Sequence, residues 1–169
     1  MWWFREQNQS RKSLLRVKMS ARRVVVTGIG MASPLGTSLA TSWAGLQTLQ
    51  SGIQRLQRKG ETYGEAVWDA LPSQIAGIVP DHEDLRERTD RSRFISLAML
   101  AAREAMEHSR LEEVVGLDRN ECGVAIGTGI GSLNDIVNGS QTLNGRGLKR
   151  LSPHFVPNVL CNLAAGELS

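Results

Sequence analysis

Cysteine, proline and aromatic side chains are all scarce in this chain of 169 residues: two Cys, five Pro, and only 5% Phe, Trp and Tyr together. Two thiols, Cys122 and Cys161, cannot build a disulfide framework. Neither has a Cys or His neighbour at metal-ligand spacing, so small disulfide- or zinc-stapled folds are excluded and a reducing compartment is the simpler reading. No stretch approaches the roughly 18 consecutive apolar residues of a membrane span, so a soluble chain without membrane insertion is expected. The Gly-Lys-Ser/Thr triplet of a phosphate-binding loop is missing as well. Basic residues grouped on one folded surface, which nucleic-acid binding requires, are not evident either.

What the chain does have is glycine, 17 residues of it, with 41% hydrophobic and 22% charged residues. That composition supports one domain of ordinary size with a real core, and tight glycine turns point to an α/β protein. Charge is unevenly placed. Residues 1–23 carry seven basic residues, from Arg5 to Arg23, against the single acid Glu6. This leader therefore holds +6 of formal charge in a chain whose total is +3, and the remainder is net negative by 3. A basic leader poor in acids has the composition of a mitochondrial presequence; a basic tail, or a true start at Met19, are the alternatives. Residues 24–169 then form the folded body.

Along that body, Val24-Val25-Val26-Thr27-Gly28 predicts a buried parallel strand running into a glycine turn. Ser38–Gln50 has Leu39, Trp43, Leu46 and Leu49 at helical spacing. Gln74–Val79 suits a short strand. Ser92–His108 is the firmest helix, capped by Thr89 or Asp90 and apolar on most sides, which predicts burial on more than one face. Gly123–Thr128 predicts a second buried strand, leading into the turn of Gly127, Gly129 and Gly131. Leu133–Leu143 reads as helical, and Asn158–Ala165 as a small final helix. Strands alternating with helices predict a mostly parallel sheet with right-handed crossovers.

Few side chains suggest chemistry. The first glycine turn lacks the third glycine of a dinucleotide fingerprint, because Ser33 and Pro34 follow Gly28 and Gly30, and no acid stands about 20 residues on. His82, in a charged loop, and His108, near a helix end, fit surface or capping roles, and His154 fits packing. Cys122, before a strand, and Cys161, inside an apolar helix, read as small core residues rather than activated thiolates.

Several separated segments together are more specific. Val24-Val25-Val26-Thr27-Gly28-Ile29-Gly30-Met31-Ala32-Ser33-Pro34-Leu35-Gly36 comes first, then Trp43, Leu46 and Ser51-Gly52-Ile53. Phe94–Leu111 follows, with its Ala101-Ala102-x-Glu104-Ala105 centre, and then Gly123-Val124-Ala125-Ile126-Gly127-Thr128-Gly129-Ile130-Gly131. Last come Ser152-Pro153-His154-Phe155-Val156-Pro157 and Asn162-Leu163-Ala164-Ala165-Gly166. In this order they resemble the N-terminal part of the β-ketoacyl-acyl carrier protein synthases, and the basic leader resembles that of mitochondrial members.

The resemblance implies the N-terminal part of a thiolase-like layered α/β fold, a parallel-rich mixed sheet with helices on both faces, dimeric when complete. It implies fatty-acid biosynthesis: an acyltransferase that condenses an enzyme-bound acyl group with malonyl-acyl carrier protein, with loss of CO2 and without an organic cofactor or metal. A cysteine at a helix N-terminus and two histidines carry that chemistry in the family. They are expected beyond Ser169, so no catalytic residue is assigned here, Cys161 included, and the 169 residues are expected to be inactive alone. The alternative is a non-catalytic interaction fragment that binds the carrier protein or a full-length subunit. Ile130 matches the position that gates the acyl tunnel, and Phe155 an aromatic beside it. Acyl carrier protein is an acidic helical partner, and Arg86, Arg88, Arg91, Lys149 and Arg150 match the family's docking regions. Localisation follows the leader: mitochondrial, or cytoplasmic if the leader is only a tail.

Overall fold

A computed structural model describes residues 24–56, 70–86 and 90–169. The leader, Arg88 and Thr89 lie outside the described residues. Helix α1 spans Leu39–Gln47, strand β1 Ile53–Arg55 and strand β2 Ile75–Gly77. Four helices follow: α2 at Arg93–Ser109, α3 at Leu133–Arg146, α4 at Phe155–Val159 and α5 at Leu163–Leu168. Single 3-10 turns at Glu83–Leu85, Leu111–Glu113, Arg119–Glu121 and Leu148–Arg150 join them.

Helix α1 starts on a reciprocal capping box. The Ser38 hydroxyl accepts the Thr41 N–H, and the Thr41 hydroxyl accepts the Ser38 N–H, so two otherwise orphan donors are satisfied. Beyond it, β1 and β2 pair antiparallel with Ile53 opposite Gly77 and Arg55 opposite Ile75. The second strand lies where the sequence predicts it; its partner does not stand out, because three residues give no periodicity.

Helix α2 organises the packing. Ile95 and Ala164 of α5 are fully buried, and with Leu100 and Leu85 they form the hydrophobic core of the described residues. Truncating Ile95 to Ala would remove atoms from a site with no solvent contact, at a cost of about 2–5 kcal/mol. An ion pair of 2.6 Å from Arg91 Nη2 to Glu167 Oε2 ties the start of α2 to α5. At the other end Arg110 takes the left-handed conformation, φ 51°, and closes the helix.

The chain before α1 runs directly over α2. A Cβ on Gly30 would collide with the Ala101 carbonyl oxygen and lie 2.7 Å from the Ala105 N, and Gly28 faces Ala105 and Ser109 in the same way. The Glu104 carboxylate then fixes the crossing: it accepts the Met31 N–H at 2.8 Å and the Leu39 N–H at 2.8 and 3.0 Å. Glycines on one element and small alanines on the other make this approach possible.

Several expectations are corrected. Neither Val24–Thr27 nor Gly123–Thr128 is a strand, and Val24 is 91% exposed. β-Branched residues favour a pleated backbone, but a strand exists only through a ladder with a neighbour, and among the described residues neither segment has one. Helix α2 buries Ile95, Ser96 and Leu100 on one side, while its Ala101–Ala105 side, crossed by the chain before α1, is only half-buried. Its N-cap is Ser92, not Thr89 or Asp90. The expected final helix is two short ones, broken at Leu160–Asn162, and Cys161 lies in that break. Both cysteines are exposed, not core residues. His154 is exposed as well, at the N-terminus of α4, rather than packed.

Candidate functional site

Four regions of the chain meet at a cleft of about 460 Å³. It is lined by Leu85 and Arg86, by the start of α2, by one side of α3, and by the segment from Arg150 to α4. Each region is positioned by local chemistry. Gly131, at φ 76°, turns the chain just before α3 and packs against the Val159 carbonyl and Cys161. Ser132 then caps α3: its hydroxyl lies 2.5 Å from the Asp135 carboxylate and accepts the Asp135 N–H at 3.4 Å. A carboxylate in the first turn also suits the positive end of the helix.

The aromatic wall is made by contact between two helices. Gly139 is the buried residue of α3, and the Phe155 ring of α4 occupies the place its side chain would take; a Cβ there would collide with the ring. Loss of helix propensity at Gly139, about 0.5–1 kcal/mol relative to Ala, is offset by seating an aromatic face.

Of the residues predicted from sequence, the cleft brings together Phe155, Arg86, Arg91 and Arg150. It does not bring in Ile130 or Lys149: Ile130 stands 69% exposed on the glycine turn, and Lys149 lies on the 3-10 turn before Arg150. Arg88 falls outside the described residues. Among the described residues no ion pair engages Arg86, Lys149 or Arg150, so this edge keeps its positive charge. Arg93 adds a fourth guanidinium to the lining, held by a 3.2 Å bond from Nη1 to the Leu85 carbonyl. Sequence reasoning missed Arg93, Ser92 and Gly139. The first two were legible as a basic residue and a capping residue beside an apolar run, whereas Gly139 shows only as an unexplained glycine within a helical stretch.

Two of the three histidines serve the backbone. His82 Nδ1 accepts the Asp84 N–H at 3.2 Å and caps a 3-10 turn, and His108 Nδ1 accepts the Ile29 N–H at 3.2 Å. Among the described residues there is no cluster of His, Cys, Asp and Glu able to hold a metal ion, and no helix is long and apolar enough to cross a membrane.

The fold is similar to that of solved ketosynthases. The structure matches a solved one, the ishigamide ketosynthase/chain length factor, with a TM-score of 0.60 at 25% identity, over 85% of this chain and 35% of that one. The chain belongs to the β-ketoacyl synthase family: residues 21–169 match the family's N-terminal domain. It is 36% identical to the mitochondrial 3-oxoacyl-[acyl-carrier-protein] synthase of Arabidopsis thaliana, over 89% of this chain and 36% of that protein. It is 39% identical to 3-oxoacyl-[acyl-carrier-protein] synthase 2 of Vibrio cholerae, with the same coverage of 89% and 36%. The chain thus spans a little over one third of the length of these relatives.

Proposed function

We propose that this segment is the carrier-docking and acyl-lining portion of a condensing enzyme of fatty-acid biosynthesis, acting in the mitochondrion. In the complete reaction an acyl group held as a thioester is attacked by the carbanion left when malonyl-acyl carrier protein loses CO2. A new C–C bond forms, the enzyme thiol is released, and a β-ketoacyl-carrier product results. The observation that carries this reading is the match of residues 21–169 to the N-terminal domain of the β-ketoacyl synthases. The names of relatives at 36% and 39% identity, one of them mitochondrial, support the substrate class and the compartment.

Roles follow from position. Phe155 and Ile130 shape the acyl tunnel, with Ile130 on a turn whose flanking glycines let it move. Arg86, Arg88, Arg91, Lys149 and Arg150 meet the acidic carrier, and the complete protein is a homodimer. Neither Cys122 nor Cys161 is the nucleophile; that thiol and the two histidines belong to polypeptide outside these 169 residues. The test has two arms. The 169-residue chain should form no β-ketoacyl product from malonyl- and acyl-carrier substrates. In the complete protein, reversing Lys149 and Arg150 to Glu should raise KM for the carrier about tenfold with kcat nearly unchanged. Product from the chain alone, or a fall in kcat without a change in KM, would overturn the assignment of these roles.

A second reading, a non-catalytic piece that binds a full-length subunit, is favoured by one observation. Helix α1 presents Trp43 and Leu46, both more than half exposed, beside Ile29, Met31 and Leu39 in an open apolar groove. Co-purification of the chain with the complete protein would support it.

A further inference from the structure

We infer that the start of α2 is a binding site for a phosphate-type oxyanion, free phosphate or a small phosphate monoester. The site shares its cleft with Phe155 and with arginines assigned above to carrier docking, but binding there needs no carrier protein.

Ser92 is the N-cap of this 17-residue helix, yet its side chain makes no capping bond. The residue is 97% buried, at 3% exposure, and it lines the cleft. Among the described residues its hydroxyl has no hydrogen-bond partner. A buried hydroxyl without a partner is costly, and so a group that supplies an acceptor there is favoured. Next to it Arg91 carries a second orphan: Nη2 is paired with Glu167, while the buried Nε–H has no partner among the described residues.

The electrostatics agree with the donors. The first turn of α2 holds no acidic residue, so the positive end of a long helix is uncompensated from within. Arg86, Arg91, Arg93 and Arg150 line the same cleft. The opposing carboxylate is Asp135, and it is engaged at the cap of α3 by Ser132. Arg91 is paired with Glu167, which leaves three guanidinium charges against one carboxylate among the residues that line the cleft. A dianion with several acceptor oxygens satisfies the hydroxyl, the Nε–H and the free N–H groups of the first turn together. A cleft of about 460 Å³ leaves room beyond the phosphate for a small organic group.

The test is thermal unfolding and amide NMR of the full chain at constant ionic strength, with inorganic phosphate, glycerol 3-phosphate or chloride. Both phosphates should shift the amides of Arg93, Phe94 and Ile95 saturably, with a Kd on the order of 1 mM, and chloride should not. Equal affinities identify free phosphate as the ligand; tighter binding of the ester identifies an organic phosphate. Ser92→Ala should weaken binding about tenfold while leaving the unliganded Tm unchanged or higher, because no capping bond is lost. Should Ser92→Ala not fold, Arg150→Gln, at an exposed position, should weaken binding about threefold or more. Identical shifts in chloride and phosphate, or unchanged affinity in both variants, would overturn the inference. So would a lowered unliganded Tm for Ser92→Ala with phosphate affinity intact, the result of a purely structural serine.

Discussion

The Glu104 carboxylate, in the middle of α2, accepts the backbone N–H of Leu39, the first residue of α1, through both oxygens at 2.8 and 3.0 Å. Helix α1 has no acidic residue in its own first turn, so a residue 65 positions away supplies the negative charge its N-terminus favours. The same carboxylate holds Met31, and so fixes the preceding turn as well. Glu104→Ala should destabilise the chain by about 2–3 kcal/mol, since two backbone donors lose a charged acceptor. Glu104→Gln, which keeps one acceptor oxygen, should cost about half of that. Urea denaturation checks both; equal stability of wild type and Glu104→Ala would refute the bridging role.

Gly30 tests the crossing from the other side. A methyl group there would strike the α2 backbone at Ala101 and Ala105, which cannot yield as a flexible side chain could. Gly30→Ala should cost about 2 kcal/mol or more. Ala101→Gly should recover little of this, since the collision is with the carbonyl oxygen of Ala101 and not with its methyl group.

The contact between Gly139 and Phe155 predicts a change of sign. In the native background Gly139→Ala pushes the aromatic ring off α3 and should destabilise by about 1–3 kcal/mol. In a Phe155→Ala background the space is free. The same substitution should then stabilise by about 0.5–1 kcal/mol through helix propensity. A double-mutant cycle with chemical denaturation reads the coupling directly; additive effects would show that the ring does not rest on Gly139.

How much of this was legible in the residues differs by element. Helices α1, α2 and α3 show in the sequence because their determinants are local: Ser38 before an apolar repeat, an alanine-rich run after Ser92, Ser132 three residues ahead of Asp135. Val24–Thr27 and Gly123–Thr128 are not strands, because β-branched residues express only a preference, while a ladder depends on a distant partner. The glycine turns were read as sheet-to-loop transitions. Gly28 and Gly30 instead serve a close approach to Ala101 and Ala105, and nothing local links segments some 70 residues apart. At the site, family resemblance led to Arg86, Arg91, Arg150 and Phe155, which do line one cleft. It could not indicate that Ile130 and Lys149 stand outside that lining, nor that the Ser92 hydroxyl lacks a partner, since a capping serine normally bonds its own helix.

Titration of acyl carrier protein into the 169-residue chain, followed by calorimetry at low and at physiological salt, addresses the central proposal most directly. Binding in the micromolar range at low salt is expected, weakening as salt rises, and falling about tenfold on reversal of Arg150 to Glu. No binding at tens of micromolar carrier in low salt, or binding indifferent to both salt and Arg150, would contradict a docking role for this cleft.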